Sequence, residues 1–276
     1  MPPEVTTYRS LRLAMLALLF ALAVSIGAET VRTGWQTSVS GYYYTAAGPV
    51  FIGVLVALGV CLVALRGFTD AEEVCLDLAG ISAPMVAFVP TPVAGKHPDV
   101  HAIANNAGTF LATLAVGYVV TLVVGLRRRR RGEEWPTRWG FIGLVATAAA
   151  WVVGVVWLLA DRAGFAAHAH TLAAVFTFLP FAGVVVLNTD WGVRVIAREA
   201  SASRTRFDAA YWLIVAGMAA AALAAGVAWL GWHPAHTLLV LEIALLGLFA
   251  VFWVLQTIDL MDPERDRACA TGRRRA

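Results

Sequence analysis

The sequence predicts an all-α, polytopic integral membrane protein: a single transmembrane domain over residues 1–276, eight transmembrane helices, both termini cytoplasmic. Three observations predict it. The composition is 59% hydrophobic and only 14% charged, with a mean hydropathy of +0.72. Soluble domains carry about 25% charged residues, so this chain lacks the polar surface to cover itself in water. Apolar runs of membrane length recur along the chain. Five consecutive arginines, Arg127, Arg128, Arg129, Arg130 and Arg131, separate two of those runs. Short arginine-rich loops stay on the cytoplasmic side, so this loop orients every other one.

The elements follow in order. Residues 11–28 are apolar and long enough to span with little tilt. They read as a retained first helix rather than a cleaved signal segment, because seven further spans follow. Residues 29–48 form an exterior loop in which Trp35, Tyr42, Tyr43 and Tyr44 sit as interface anchors, since amphipathic rings settle at headgroup depth. Residues 49–65 are the second span, and 67–77 an acidic cytoplasmic loop. The third span, 78–94, contains Pro84, Pro90 and Pro92 and is expected to bend or partly unwind, with a re-entrant segment as the alternative. A tight exterior turn at 95–100 leads to the fourth span, 101–126.

Residues 141–160 are the fifth span and 161–167 a short exterior loop. The sixth span, 168–187, carries Pro180 as an expected kink. A second basic loop covers 188–207. The seventh span, 208–230, has Asp208 as its expected N-cap. A four-residue turn joins it to the eighth, 235–258, and a polar tail ends in Arg273, Arg274 and Arg275. Among 21 basic residues only Arg32, Lys96 and Arg162 then fall outside, as the positive-inside rule requires. The location implied is the cell inner membrane, multi-pass.

The charge pattern excludes a nucleic-acid partner, because the arginines sit in short loops where topology and lipid headgroups account for them. Cys61, Cys75 and Cys269 lie in the inner half of the membrane or the cytoplasm, so no disulfide framework is expected. Phosphate-binding glycine loops, a GxSxG elbow and HExxH are absent. Small residues are dense in the spans, as in residues 216–225, and allow close helix approach in lipid.

One asymmetry points to function. All six histidines, His97, His101, His168, His170, His233 and His236, fall on the exterior side of this topology. Imidazole is a common ligand for zinc and copper. The pairs 97/101 and 233/236 have spacings that can share a helical face, whereas His168 and His170 diverge. Candidate metal ligands are therefore His101, His168, His170, His233 and His236, of which one of the 168/170 pair joins any common site, with zinc or copper as the ion. Asp99 and Glu29 lie on the same side as carboxylates. Glu242 sits roughly 10 Å into the eighth span, a costly depth unless paired. It lies about 180° around the helix from His233 and so serves a helix interface rather than the same ligand set. Asn105 lies one turn below His101 on the same face. Tyr43, Tyr44, Asn105 and Glu242 are the candidate residues of an outward-facing polar pocket. The plainer alternative is that the histidines bond to loops and headgroups.

The stretch 37–65, with Ser38, Ser40, Tyr43, Tyr44, Thr45, Gly53 and Gly59, is followed by Arg66, the acids Glu72 and Glu73, residues 78–80, and Pro90-Thr91. This pattern, strongest over 35–91, and Glu242 in the last helix resemble a group of bacterial multi-helix membrane proteins related to the Frag1/DRAM/Sfk1-like families. That resemblance implies roles in membrane or lipid organisation without a catalytic mechanism. A fainter one is to multi-helix zinc hydrolases of the alkaline ceramidase and adiponectin-receptor-like type, which use a Ser, an Asp and three His. This chain departs from their HxxxH in the final helix, having His233-x-x-His236 before it. The leading expectation is a protein that binds or organises a lipid or amphiphile, with membrane lipids as partners. A metal-dependent hydrolase is the alternative and a small-molecule transporter the third.

Overall fold

A water-soluble core would have to hide the large aliphatic side chains that this chain instead presents outward on helix after helix. In the computed structural model, which describes residues 3–93, 96, 99–132, 134–197, 207–232 and 234–259, Val116, Val119, Val153, Leu159, Leu213 and Leu230 are all exposed. Such surfaces are unremarkable only where the solvent is lipid. The chain is an all-α, multi-pass membrane protein.

Its long helices are α1 (Pro3–Thr33), α2 (Gly48–Ala64), α3 (Asp70–Phe88), α4 (Val100–Arg130), α5 (Arg138–Ala160), α6 (Arg162–Leu187), α7 (Asp208–Gly231) and α8 (Thr237–Asp259). A 3₁₀ turn at Ser40–Tyr44 precedes α2, and one turn of π-helix occupies Gly192–Ala197. Six of the eight, α1, α4, α5, α6, α7 and α8, are long and apolar enough to cross a membrane. α2 is apolar but has only 17 residues, and α3 opens with Asp70, Glu72, Glu73 and Asp77.

Several boundaries differ from the sequence expectation, each for a local reason. The acidic segment 67–77 is mostly helix: Thr69 Oγ accepts the Glu72 N–H at 3.2 Å, and Glu72 Oε2 reaches back to the Phe68 N–H at 2.7 Å. This is a capping box displaced by one residue, and the acids of the first turn suit the positive helix end. The third helix therefore starts eight residues earlier than the expected span and ends at Phe88, before Pro90. It runs unbroken through Pro84. The expected loop 161–167 shrinks to Asp161, whose Oδ1 accepts the Gly164 N–H at 2.8 Å and starts α6 at once. Asp208 is the first residue of α7 rather than its N-cap; its carboxylate instead accepts the Asp190 N–H at 2.7 Å. α4 extends through four of the five arginines. α6 continues helically through Pro180. Cys269 and the arginines of the tail lie outside the described residues.

The helices form two compact units, Ser40–Pro180 and the pair of segments Met1–Val39 and Phe181–Ala276. In the central unit α2 and α3 make the most intimate pair. A Cβ on Gly59 would lie 2.6 Å from the Gly80 carbonyl oxygen, and one on Gly80 would lie 2.8 Å from that of Gly59. Two glycines thus let the backbones touch, the small-residue contact that replaces hydrophobic collapse in lipid. A second cluster joins Val89, Ile103, Ala107, Leu111, Leu158 and Phe165 from α3's end, α4, α5 and α6. In the other unit Phe181 stacks among Phe249, Phe252 and Trp253 at centroid distances of 4.5, 5.4 and 6.4 Å. Arg12 lies over the Trp253 ring at 5.5 Å.

Replacing Gly80 or Gly59 by valine is expected to cost about 1–3 kcal/mol of stability through overpacking. Gly53, on the same helix with open space at its Cβ position, is expected to accept alanine without loss. Detergent-resistance or thermal-melting measurements on the three variants check this.

Candidate functional site

The expected site residues divide between the two units. In the central unit, Asp99 caps α4 by accepting the His101 N–H at 2.8 Å. This fixes the first turn and sets the register of everything below it. His101, Asn105, Gly108 and Ala112 follow at spacings of four, three and four, which keeps them within about 60° on one face. His101 and Asn105 are exposed, and the Asn105 amide donates to Asn106 Oδ1 at 3.3 Å. Ile103 and Ala107, turned the other way, are buried in the unit's core, as is Leu111 at its border with this face.

Below Asn105, Gly108 and Ala112 form one wall of an apolar groove of about 260 Å³. Trp151, Val155 and Leu158 of α5 form the other wall, with Leu111 in its floor. Trp151 donates its indole N–H to the Leu111 carbonyl at 2.8 Å, which fastens α5 to α4 and holds the aromatic wall in place. Gly108 matters here because it has no side chain to fill the groove.

His168 and His170 do diverge. His168 is exposed, whereas His170 is buried, its Nδ1 2.7 Å from the Val89 carbonyl oxygen. That bond ties α6 to the end of α3. The 3₁₀ turn carries the tyrosines. Tyr42 is fully buried; Tyr43 and Tyr44 are half-buried, with their rings edge-to-face at 5.2 Å. Ser40 Oγ donates to Thr91 Oγ at 2.6 Å, and Lys96 Nζ donates to the Tyr44 carbonyl at 3.3 Å. Burial, with a smaller contribution from Tyr43, pushes the Tyr44 phenol up to about 12. The Tyr44 phenol is thus neutral at any physiological pH.

In the other unit, Glu242 serves structure. Its Oε2 accepts the Val39 N–H at 2.5 Å. The Leu239 N–H, in the first turn of α8, donates to the Thr37 carbonyl at 3.1 Å. His236 Nδ1 lies 3.0 Å from the Gln36 carbonyl oxygen. The strap 36–39 is therefore sewn to the start of α8 by three consecutive contacts. Glu29 pairs with Arg32 at 2.6 Å. His97 and His233 lie outside the described residues. Among the described residues no group of three or more His, Cys, Asp or Glu side chains is placed to hold a metal ion.

A polar cluster that the sequence reading missed lies in this same unit. Asn188, Thr189, Gln256, Thr257 and Asp259 are buried, as is Arg12. Gln256 donates its amide to Asn188 Oδ1, and the Asn188 amide donates to the Val184 carbonyl at 2.9 Å. Thr189 Oγ accepts the Gly192 N–H at 3.0 Å. These groups satisfy the frayed end of α6 by linking it to the end of α8. The signal available was Gln256, an amide near the end of an otherwise apolar span.

Comparison with protein-family models, with characterised proteins and with solved structures finds no match for this chain.

Two outcomes follow. Glu242→Leu, which leaves the Val39 N–H without its acceptor, is expected to cost about 1–3 kcal/mol, with Glu242→Gln retaining most of it, in thermal melting. Tyr44 is neutral in both folded and unfolded chains below pH 10. Between pH 10 and about 12 only the unfolded phenol ionises, so stability falls as pH rises through that window. Tyr44→Phe is expected to lose less stability there than the parent.

Proposed function

We propose that the protein binds a lipid or other amphiphile at the outward-facing end of α4 and α5, in a chain that crosses the inner membrane eight times with both termini in the cytoplasm. The observation that carries this reading is the ordered face of α4. An apolar groove beside Gly108 and Ala112 is followed, in line and toward the helix start, by Asn105 and then His101. A bound amphiphile needs that sequence of environments: an alkyl chain in the groove and a polar group one to two turns above it. Asn105 offers both donor and acceptor, and the two ring nitrogens of His101 add further hydrogen-bonding positions. Tyr43 and Tyr44, in the same unit, supply amphipathic rings suited to the headgroup layer.

The size of the groove favours a binder over a catalyst. Cavities that enclose small molecules run from about 300 Å³ upward and surround most of the ligand. A groove of about 260 Å³ with an almost wholly apolar lining suits one alkyl chain of a lipid that stays in the bilayer. Glu242 falls outside this ligand set, because it belongs to the other unit and holds the Val39 N–H.

The topology rests on the basic end of α4. Arg127–Arg130 continue as helix, so the charges ring the end of the span like a collar. A cationic collar at a helix C-terminus is favoured by the helix dipole, and at this position it also holds the inside. α2, at roughly 26 Å long, falls slightly short of a ~30 Å hydrocarbon core. Its glycine contact with α3 lets the two short helices cross as one tightly packed pair.

Two measurements test this. Lipid co-purified with the chain, counted by mass spectrometry, is expected to fall severalfold when Ala112→Trp fills the groove and when Asn105→Leu removes the polar step. Lipid content unchanged in both variants would remove the proposal. A topology reporter fused after Gly132 is expected to read cytoplasmic and one inserted at residue 97 exterior; reversed readings would move the groove to the other leaflet.

A further inference from the structure

The opposite end of the α4–α5 pair holds a second built feature, independent of the groove. The connection between the helices is short, and its Trp135 folds back against α4. The ring lies directly on Gly125, at a distance no Cβ would permit. Gly125 is buried for that reason, within a stretch of α4 that is otherwise exposed. Gly132 turns the chain with φ +80°, a left-handed conformation that favours glycine. Thr137 then caps α5, its Oγ accepting the Gly140 N–H at 3.1 Å. The result is an open depression of about 550 Å³ lined by Arg129, Glu134, Trp135, Thr137, Arg138 and Phe141.

We propose that this depression binds the phosphate of an anionic phospholipid from the leaflet at this end of α4. Arg129 comes from the last turn of α4 and Arg138 from the first turn of α5, so arginines of two separate elements line it. Guanidinium matches phosphate oxygens in a bidentate fork. The depression also opens at the N-terminal end of α5, a 23-residue helix, where the backbone N–H groups and dipole favour an anion. Among the described residues of the lining Glu134 is the single acid against two arginines. The remaining walls are aromatic. Trp135 is half-buried, and indole rings settle between headgroup and tail in a bilayer. Phe141 is exposed one turn further along α5, where the glycerol and first methylenes of a lipid would lie. A free soluble phosphate would use the arginines but not this apolar margin.

Topology alone explains why arginines are present, but not why α4 keeps a glycine at 125 against which Trp135 is seated. The experiment separates these accounts. The full chain is reconstituted in phosphatidylcholine nanodiscs containing one-fifth phosphatidylglycerol, and the lipid retained after transfer to detergent is identified by native mass spectrometry. The parent is expected to retain phosphatidylglycerol in preference to phosphatidylcholine. The double variant Arg129→Gln/Arg138→Gln is expected to lower that preference by about fivefold or more, the scale of surface arginines acting on an anionic lipid. Arg127→Gln/Arg130→Gln removes the same charge from the end of α4 but leaves the lining intact, and is expected to keep most of the preference. Gly125→Ala, which displaces the indole without altering charge, is expected to lose it. An equal fall in the two arginine doubles, or no effect of Gly125→Ala, would reduce the feature to diffuse electrostatics and overturn the proposal. Displacement of the retained lipid by glycerol phosphate at comparable concentration would also overturn it, assigning the arginines to a soluble anion.

Discussion

A backbone N–H in hydrocarbon has no water to fall back on, and leaving one unpaired costs several kcal/mol. Much of the polar architecture of this chain follows from that constraint. The strap after α1 is not helical, so its peptide groups need partners from elsewhere. Thr37 supplies a carbonyl to the Leu239 N–H, and Glu242 supplies a carboxylate to the Val39 N–H. One side of this exchange satisfies the strap, and the other satisfies an orphan donor in the first turn of α8. A carboxylate in a largely apolar helix is expensive in isolation. It becomes tolerable when a charge-assisted hydrogen bond offsets part of its desolvation.

The same logic governs the end of α6. Asn188, Thr189 and Gln256 are buried together because the helix stops there and its last carbonyls require donors. Asp208 performs the matching service for the Asp190 N–H. These side chains look functional when read singly, since polar groups in apolar spans usually are. Their bonds instead assign them to the repair of helix ends. His101 and Asn105 above an apolar groove, and Arg129 and Arg138 beside the depression that Trp135 lines, take no part in that repair. Both sets belong to α4 and α5, at opposite ends of the pair.

The spans were legible because their signal is additive: a run of about twenty apolar residues needs no partner to identify it. All eight expected segments overlap helices, six of them long and apolar enough to cross a membrane, and the divergence of His168 from His170 followed from helical geometry alone. Two helix starts were legible in principle but passed over. Thr69 with Glu72 is a capping pattern, and Asp161 is a cap for Gly164. Their polarity read as loop because hydropathy averages hide single capping residues. Glu242 was expected from its helical phase to serve a helix interface apart from His233, which lies outside the described residues; its partner, Val39, is 203 residues away and no local pattern announces it.

The sequence by itself determined which segments are helical and apolar, where the cations collect, and which small residues could allow close approach. These are properties of consecutive residues, set by propensity, transfer free energy and a fixed rise per residue. Tertiary structure alone decided which glycines are used: Gly59 and Gly80 carry a backbone contact and Gly125 seats an indole, while Gly53 faces open space. It also decided that Gly108 and Ala112 border a groove, and that His170 and His236 are drawn to carbonyls of other segments. The physical reason is that these roles depend on what lies within a few ångströms across a helix interface, and such neighbours come from distant parts of the chain.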